Sequence, residues 1–191
     1  MFGIFLDIET NGLDFFLHYP LEIAYQIIDL QSKKILDSYE ALIDQPDEVW
    51  SASNPRSLAI NGWTYPLLKK GSSMDCIGNA IEKRFQKNGI SRKNALFICQ
   101  NPSFDRVFFA KIISPERQEK ARFPYHWLDL ASMYFALKMQ KSTAKDLSLP
   151  LSKNEIANAF SLEKEEHPHR AKNGVLHLIS CYEKVIGFSS D

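Results

Sequence analysis

Features that define several other classes of protein are missing from this sequence of 191 residues. No apolar run approaches the roughly 18 residues that a membrane-spanning helix needs. The first ten residues lack the basic segment that opens a secretory signal. Internal repeats and low-complexity tracts are also absent. We therefore expect one globular domain over residues 1–191, with no membrane partner.

Cysteine is scarce and unpaired. The three cysteines, Cys76, Cys99 and Cys181, are odd in number and form no Cys-x-x-Cys pair. This predicts free, mostly buried thiols in a reducing compartment, and hence a cytoplasmic protein. The sequence also has no Gly-rich phosphate loop, no Gly-x-Ser-x-Gly and no metal-type Cys/His pairs.

Charge is balanced overall but unevenly spread. The net charge is zero, yet residues 1–62 contain ten acids and three bases, whereas residues 63–150 contain fifteen bases and seven acids. An acidic first third could hold cations, and a basic middle segment could meet a polyanion. The alternative is a chance imbalance that folding averages out.

Hydrophobic periodicity predicts an α/β protein with a mixed central sheet flanked by helices. Three early strands, joined by short polar turns, should be antiparallel, and two later strands should alternate with helices. The predicted strands are 2–8, 21–30, 34–43, 95–99 and a short one ending at 129. The predicted helices are two short turns at 56–62 and 64–71, longer ones at 72–89, 103–113 and 130–140, two short ones within 142–162 and one from 167–169 to about 186.

Two carboxylates follow the first apolar strand. Asp7 and Glu9 are two residues apart, so on a strand they point to the same face. Like charges this close raise each other's pKa unless a cation neutralises them, and oxygen ligands suit Mg²⁺ or Mn²⁺. The alternative is a surface pair at a fraying strand end.

Two further segments contain candidate groups. Asp105 follows the fourth strand and lies in the first turn of a helix, where an acid also suits the helix dipole. His169 precedes the last helix and could act as a general base, or it could simply be a solvated or capping histidine.

Three segments together resemble the DnaQ-like 3′–5′ exonucleases of the histidine-type DEDD group, which have a ribonuclease H-like fold. Their order and spacing match the family's three motifs across essentially the whole chain. The matching segments are FLDIETNGL at 5–13, FICQNPSFDRVFF at 97–109 and HRAKNGVLHLISCYEKV at 169–185.

The resemblance implies a site that hydrolyses terminal phosphodiesters with two Mg²⁺ or Mn²⁺ ions. Asp7 would bridge both metals, Glu9 would hold one of them, and Asp105 would hold the second metal or its water. His169 would be the general base. Three residues match the positions that contact the terminal nucleotide: Thr10, Gly12 and Leu13.

One position departs from the family pattern. The third motif should place an aspartate five residues after the histidine, and Gly174 stands there instead. Three accounts stay open: a weak site built on the remaining carboxylates with water as the missing ligand, rescue by Glu165 or Glu166 from the preceding loop, or loss of catalysis with nucleic-acid binding retained.

Two functions therefore compete at this stage. The first is a metal-dependent 3′–5′ exonuclease acting on single-stranded DNA or RNA ends. The second is a catalytically disarmed module on the same fold that binds nucleic acid or a protein. A homodimer and a separate polymerase or repair partner both stay open. Aromatic side chains near the site could stack on terminal bases, with core packing as the alternative, and the candidates are Phe15, Phe16, Trp63 and Tyr65.

Overall fold

The computed structural model describes residues 1–141 and 150–188. Its strands are β1 (Phe2–Thr10), β2 (Pro20–Asp29), β3 (Ile35–Leu42), β4 (Ala95–Cys99) and β5 (Trp127–Asp129). They form a sheet in the order β3-β2-β1-β4-β5. The first three strands are antiparallel neighbours, whereas β4 pairs in parallel with β1 and β5 in parallel with β4. The predicted mixed sheet is confirmed.

The described helices flank this sheet. They are α1 (Asp47–Ser51), α2 (Pro55–Asn61), α3 (Tyr65–Leu68), α4 (Met74–Lys87), α5 (Pro102–Ile112), α6 (Pro115–Lys120), α7 (Leu130–Lys141), α8 (Lys153–Ala159) and α9 (Ala171–Val185). The bounds of α4, α5 and α7 lie within two residues of those predicted.

Two helices were missed, and the start of one predicted helix was wrong. The short helices α1 and α6 were not predicted, because neither buries a residue and neither has an apolar period to reveal it. The last helix begins at Ala171 rather than at 167–169, because the backbone N–H of His169 donates outward to the carbonyl of Ile60. Of the two helices predicted within 142–162, the second is α8, and the first falls on residues outside those described.

The central strand β1 is buried on both faces, as its nearly continuous apolar run requires. Ile4, Leu6 and Ile8 belong to the core shared with α4 and α5. Phe5 belongs to a second core with α8 and α9, where its ring meets Tyr182 edge-on at 5.1 Å between centroids. The last residues of β1 therefore point alternate side chains toward α9.

Residues 44–71, which contain α1, α2 and α3, leave the sheet after β3, and the chain rejoins it at Ser72. Ile43 and Ser72 form a parallel bridge. The Ser72 N–H donates to the Leu42 carbonyl at 3.0 Å. A Cβ at Gly71 would lie 2.6 Å from that carbonyl oxygen, so the close return requires glycine. We call this closed segment the 44–71 excursion.

The thiol prediction is also borne out. Cys76 is exposed, Cys99 and Cys181 are buried, and all three are free. Within residues 1–141 and 150–188, no helix combines the length and apolarity that crossing a bilayer demands.

Candidate functional site

The candidate site lies where β1 extends beyond the end of its parallel neighbour, β4. Strand β4 pairs with β1 only from Phe2 to Phe5, so the following residues of β1 have no strand partner on that side, and we call the space beside them the crevice. Asp7 and Glu9 share the face of β1 that points toward α9, and both are half-buried. The predicted common face of the two carboxylates is therefore the face toward the third motif.

Asp105 reaches the same place from the other side of the crevice. Asn101 adopts a left-handed conformation, with φ of 56°, and turns the chain from β4 into α5. Asp105 lies in the first turn of that helix with only 4% of its surface exposed. Its Oδ1 accepts a hydrogen bond of 3.1 Å from the N–H of Ile8. This bond ties the second motif to the first where β4 no longer supplies a partner.

His169 lies just before α9 and is half-buried. Its backbone N–H is fixed by the Ile60 carbonyl at 3.0 Å. Its ring lies 4.6 Å from that of His167, and it is close enough for its charge to act on the Asp7 carboxylate. The structure thus brings the three motif carboxylates and this histidine to one end of the sheet.

Gly174 faces Asp7 directly, from the first turns of α9. A Cβ built at Gly174 would overlap the Asp7 carboxylate, with the Cγ of Asp7 only 2.6 Å away. The absent side chain therefore leaves space that the Asp7 carboxylate fills. An acid at this position could be added only if Asp7 turned aside.

Lys153, at the start of α8, is a site residue that sequence reasoning missed. Its ammonium lies 3.5 Å from Asp7 Oδ1, 2.9 Å from Glu165 Oε2 and 3.3 Å from the carbonyl oxygen of Gly174. An ammonium has three N–H donors, and this one has three acceptors around it. Only 11% of the lysine side chain is exposed.

The two acids expected to rescue the site behave differently. Glu165 is buried and pairs with Lys153, so it does reach the neighbourhood of Asp7. Glu166 is exposed, and its carboxylate accepts a hydrogen bond from Asn173 at 3.0 Å. Of the two, only Glu165 belongs to the cluster, and it is already partnered by the lysine.

The cluster is rich in acids whose charged forms are disfavoured. Burial, reinforced by the charge of Asp7, raises the pKa of Glu9 to about 8. Burial also raises the pKa of Asp7, although Lys153 opposes this, and burial together with Asp7 raises that of Asp105. For Lys153, burial alone would lower the pKa, but the charges of Asp7 and Glu165 raise it above its ordinary value. Such perturbed groups gathered in one cleft are typical of functional sites.

Glu22 is a second residue that sequence reasoning missed. It lies opposite Glu9 on β2 and is 6% exposed. Its carboxylate accepts hydrogen bonds from the N–H of Ala171, at 3.0 Å, and from the indole of Trp63, at 3.2 Å. It therefore fixes the beginning of α9 behind the site. An acid near the start of a strand that is mostly apolar was the available signal.

The three predicted nucleotide contacts surround the end of β1. The Thr10 hydroxyl donates to the Gly12 carbonyl at 2.7 Å. Gly12 lies against the ring of His18, which leaves no space there for a Cβ. The side chain of Leu13 is 76% exposed. Their role in binding stays a prediction.

These residues do not fit two divalent cations as they stand. Gly174 supplies no carboxylate, and Lys153 already neutralises Asp7 and Glu165. Over the part of the chain that the structure describes, no three or more His, Cys, Asp or Glu side chains are arranged to hold a metal ion. The positive charge expected from Mg²⁺ or Mn²⁺ is provided here, at least in part, by a lysine.

Sheet order and the parallel pairing of β4 with β1 and of β5 with β4 define a ribonuclease H-like α/β fold. No family model and no curated protein matches the sequence. Solved structures do match. Cell-death related nuclease 4 superposes with a TM-score of 0.74 at 13% identity, over 97% of this chain and 63% of that one.

Two other nucleases give the same result. Exonuclease I from E. coli, bound to a dT13 oligonucleotide, has a TM-score of 0.74 at 15% identity, over 98% of this chain and 41% of that one. A 3′-exonuclease studied for 3′-end-specific recognition of a histone mRNA stem-loop has a TM-score of 0.71 at 11% identity, over 98% of this chain and 65% of that one. This chain spans less than two thirds of each. The resemblance to DnaQ-like exonucleases is confirmed at the level of the fold.

Proposed function

We propose that this chain binds the 3′ end of a single-stranded DNA or RNA in the crevice at the end of β1, and that it does so without a two-metal hydrolytic centre. One observation carries the proposal: the buried ammonium of Lys153 lies between Asp7 and Glu165, at the carbonyl of Gly174. The exonuclease-like fold supports a nucleic-acid ligand, and the lysine argues for binding rather than hydrolysis.

A resident ammonium would solve the electrostatic problem that the carboxylates create. A phosphate could not approach Asp7, Glu9 and Asp105 if all were ionised and uncompensated. The lysine charge offsets part of this repulsion, and the raised pKa of Glu9 and Asp105 removes more of it. The cleft would therefore accept a polyanion without a bound metal ion.

Hydrolysis is the second candidate, and one observation favours it. Asp7, Glu9, Asp105 and His169 lie at the same end of the sheet, where the family resemblance expects them. In this alternative the chain is a Mg²⁺- or Mn²⁺-dependent 3′–5′ exonuclease. Its rate would be reduced because an acid is missing at Gly174.

The test measures binding and cleavage separately. Anisotropy of 5′-labelled single-stranded DNA and RNA in EDTA should show binding that weakens with salt, with a slope of about −0.7 per phosphate contact. A 3′-phosphate on the same strand should weaken binding, because the end itself is recognised. With Mg²⁺ or Mn²⁺, the wild type should release no mononucleotides. Metal-dependent release that Asp7→Ala abolishes would establish the exonuclease instead.

A double variant separates the two accounts further. Gly174→Asp alone should not create a metal site, because Lys153 would pair with the new carboxylate. Gly174→Asp combined with Lys153→Ser should create Mn²⁺ binding that electron paramagnetic resonance can detect. Mn²⁺ bound equally well by the wild type would contradict the proposed role of the lysine.

A further inference from the structure

The loop between β1 and β2 exposes four large apolar side chains at its tip. The exposed fractions are 76% for Leu13, 41% for Phe15, 77% for Phe16 and 64% for Leu17. Exposed apolar side chains grouped so closely usually mark a binding surface. We call these four residues the apolar loop tip.

The backbone of this loop holds the tip outward. The carbonyl of Asp14 accepts from the N–H groups of Leu17, at 3.1 Å, and His18, at 2.7 Å. The Asp14 carboxylate accepts from the N–H of Phe16 at 2.9 Å, and the His18 ring accepts from the N–H of Asp14 at 3.0 Å. The polar groups thus occupy the inside of the turn, and Phe15 and Phe16 are left on the outside.

The two phenylalanines form one aromatic surface. Their ring centroids are 4.0 Å apart, with 34° between the ring planes. The other aromatic candidates are engaged elsewhere. Trp63 lies under the guanidinium of Arg170, 3.7 Å from its ring centroid, and Tyr65 packs against Trp50. Among the four aromatic candidates, Phe15 and Phe16 offer the free ring surface.

We propose that Phe15 and Phe16 form a stacking platform for unpaired bases of the bound strand. This inference rests on the proposed function and names how the strand is held. The platform begins two residues after Leu13, for which the family resemblance implies contact with the terminal nucleotide. A strand whose 3′ end entered the crevice would therefore pass the platform with its next bases.

A lysine beside the platform favours a nucleic acid over a protein as its occupant. The ammonium of Lys111, on α5, lies 3.7 Å from the ring centroid of Tyr19, at the end of the same loop. It is also close enough to Asp14, within the loop, for the two charges to interact. An aromatic pair beside a cation is a combination that holds single strands, since rings stack on bases and a cation meets phosphates.

Stacking predicts which ligands are distinguished. Every base has a flat face, whereas ring stacking does not contact the 2′-hydroxyl, so the platform should hold DNA and RNA about equally. It should not hold abasic stretches, nor duplex ends whose bases are already stacked. The substrate class is therefore an unpaired strand of several nucleotides.

The experiment compares two exposed aromatic sites. Phe15→Ala/Phe16→Ala should weaken binding of single-stranded DNA and RNA about tenfold to a hundredfold, with an unchanged salt slope. Tyr125→Ala is the matched control, because Tyr125 is 52% exposed and precedes β5 at the opposite end of the sheet. The control should bind as the wild type does, and both variants should keep the wild-type melting temperature within a degree or two.

A rescue variant reports the contact directly. Phe16→Trp should bind normally, and its added fluorescence should be quenched by an ordinary strand but not by one with abasic sites. Strand binding that survives the double alanine substitution, or an abasic strand held as tightly as an ordinary one, would overturn the platform alone. A wild type that binds no strand would overturn the platform and the proposed function together. A tip that controls self-association in sedimentation while strand binding is unchanged would identify a protein interface and also overturn the platform.

Discussion

The space beside Gly174 and the ammonium of Lys153 are two halves of one arrangement. Glycine lets the Asp7 carboxylate lean against α9, and its carbonyl then accepts a hydrogen bond from the lysine that neutralises Asp7. Each residue would be destabilising without the other. Glycine inside a helix costs about 1 kcal/mol relative to alanine, and an unpaired buried lysine would be far more costly.

Removing the lysine charge should therefore lower the free energy of unfolding substantially. Lys153→Met leaves Asp7 and Glu165 without their partner, and breaking a buried pair in this way costs about 3–5 kcal/mol. Lys172→Met is the matched control, because Lys172 and Glu40 are both more than half exposed. That pair should be worth less than about 1 kcal/mol. Urea unfolding at pH 7 gives both numbers, and equal losses would contradict the role assigned to Lys153.

Residues within a motif could be predicted, whereas residues brought in from elsewhere could not. Asp7, Glu9 and Asp105 stand in short segments whose local order identifies them, and the departure at Gly174 is visible for the same reason. Lys153 is 146 positions from Asp7 in the chain, and nothing near it in sequence indicates burial or an acidic partner. The catalytic and binding roles of the motif residues stay predictions.

At the scale of elements, helix α8 positions Lys153 beside Asp7. Ser152 caps the helix, and with Glu155 it forms a reciprocal capping box. Lys153 is the first residue after the cap, so the cap also fixes the direction in which its side chain leaves the helix.

Elements with long apolar periods, such as α4 and α9, could be predicted closely. Short polar ones, such as α6, depend on caps and tertiary contacts that the sequence pattern does not show.

Two cap substitutions should separate stability from binding. Ser152→Ala and Ser73→Ala each remove a side-chain cap, at α8 and α4 respectively, and each should cost about 1 kcal/mol. Only Ser152→Ala should also weaken strand binding, severalfold, because it loosens the lysine beside Asp7. Thermal unfolding and anisotropy on the same samples provide the comparison. Equal binding by both variants would show that the cap does not position Lys153.

Across the whole molecule, folding brings the uneven charge of the sequence together. Acids of the first third pair with bases from later in the chain, as in Asp37 with Arg84, Asp44 with Lys69 and Glu40 with Lys172. The imbalance seen along the sequence is thus partly compensated in space. At the end of β1, burial and the charge of Asp7 raise the pKa of Glu9, and this makes stability depend on pH.

The sign of this dependence follows from Glu9. Its pKa is about 8 in the folded protein against 4.5 as the reference, so the folded state holds a proton that the unfolded state has lost between those values. Stability from this group is complete below pH 4.5 and declines as pH rises to about 8. Glu9→Gln should therefore stabilise the protein at pH 8, by about 1–3 kcal/mol, and change nothing at pH 4.

An exposed acid provides the opposite control. Hydrogen bonds from its own backbone N–H and from Ser114 lower the pKa of Glu116, so its stabilising contribution is present above its unfolded pKa and is lost as pH falls. Glu116→Gln should thus be slightly destabilising at pH 8. Chemical unfolding between pH 4 and 9 tests both variants, and a Glu9→Gln effect that did not vary with pH would rule out the assigned protonation.

Because the 44–71 excursion is closed at its base, changes in its outer surface are separated from changes at the site. The excursion meets the site through two side chains and two carbonyls. The Asn61 amide donates to the Thr10 carbonyl and the Trp63 indole to Glu22, while the carbonyls of Asn61 and Ile60 accept from Arg170 and His169. A sequence that keeps Asn61, Trp63 and these carbonyls would preserve the contacts. Its outer surface can therefore be rewritten, lengthened or grafted from another protein while the strands keep their register, so that what the protein recognises can diverge without disturbing the carboxylates beneath.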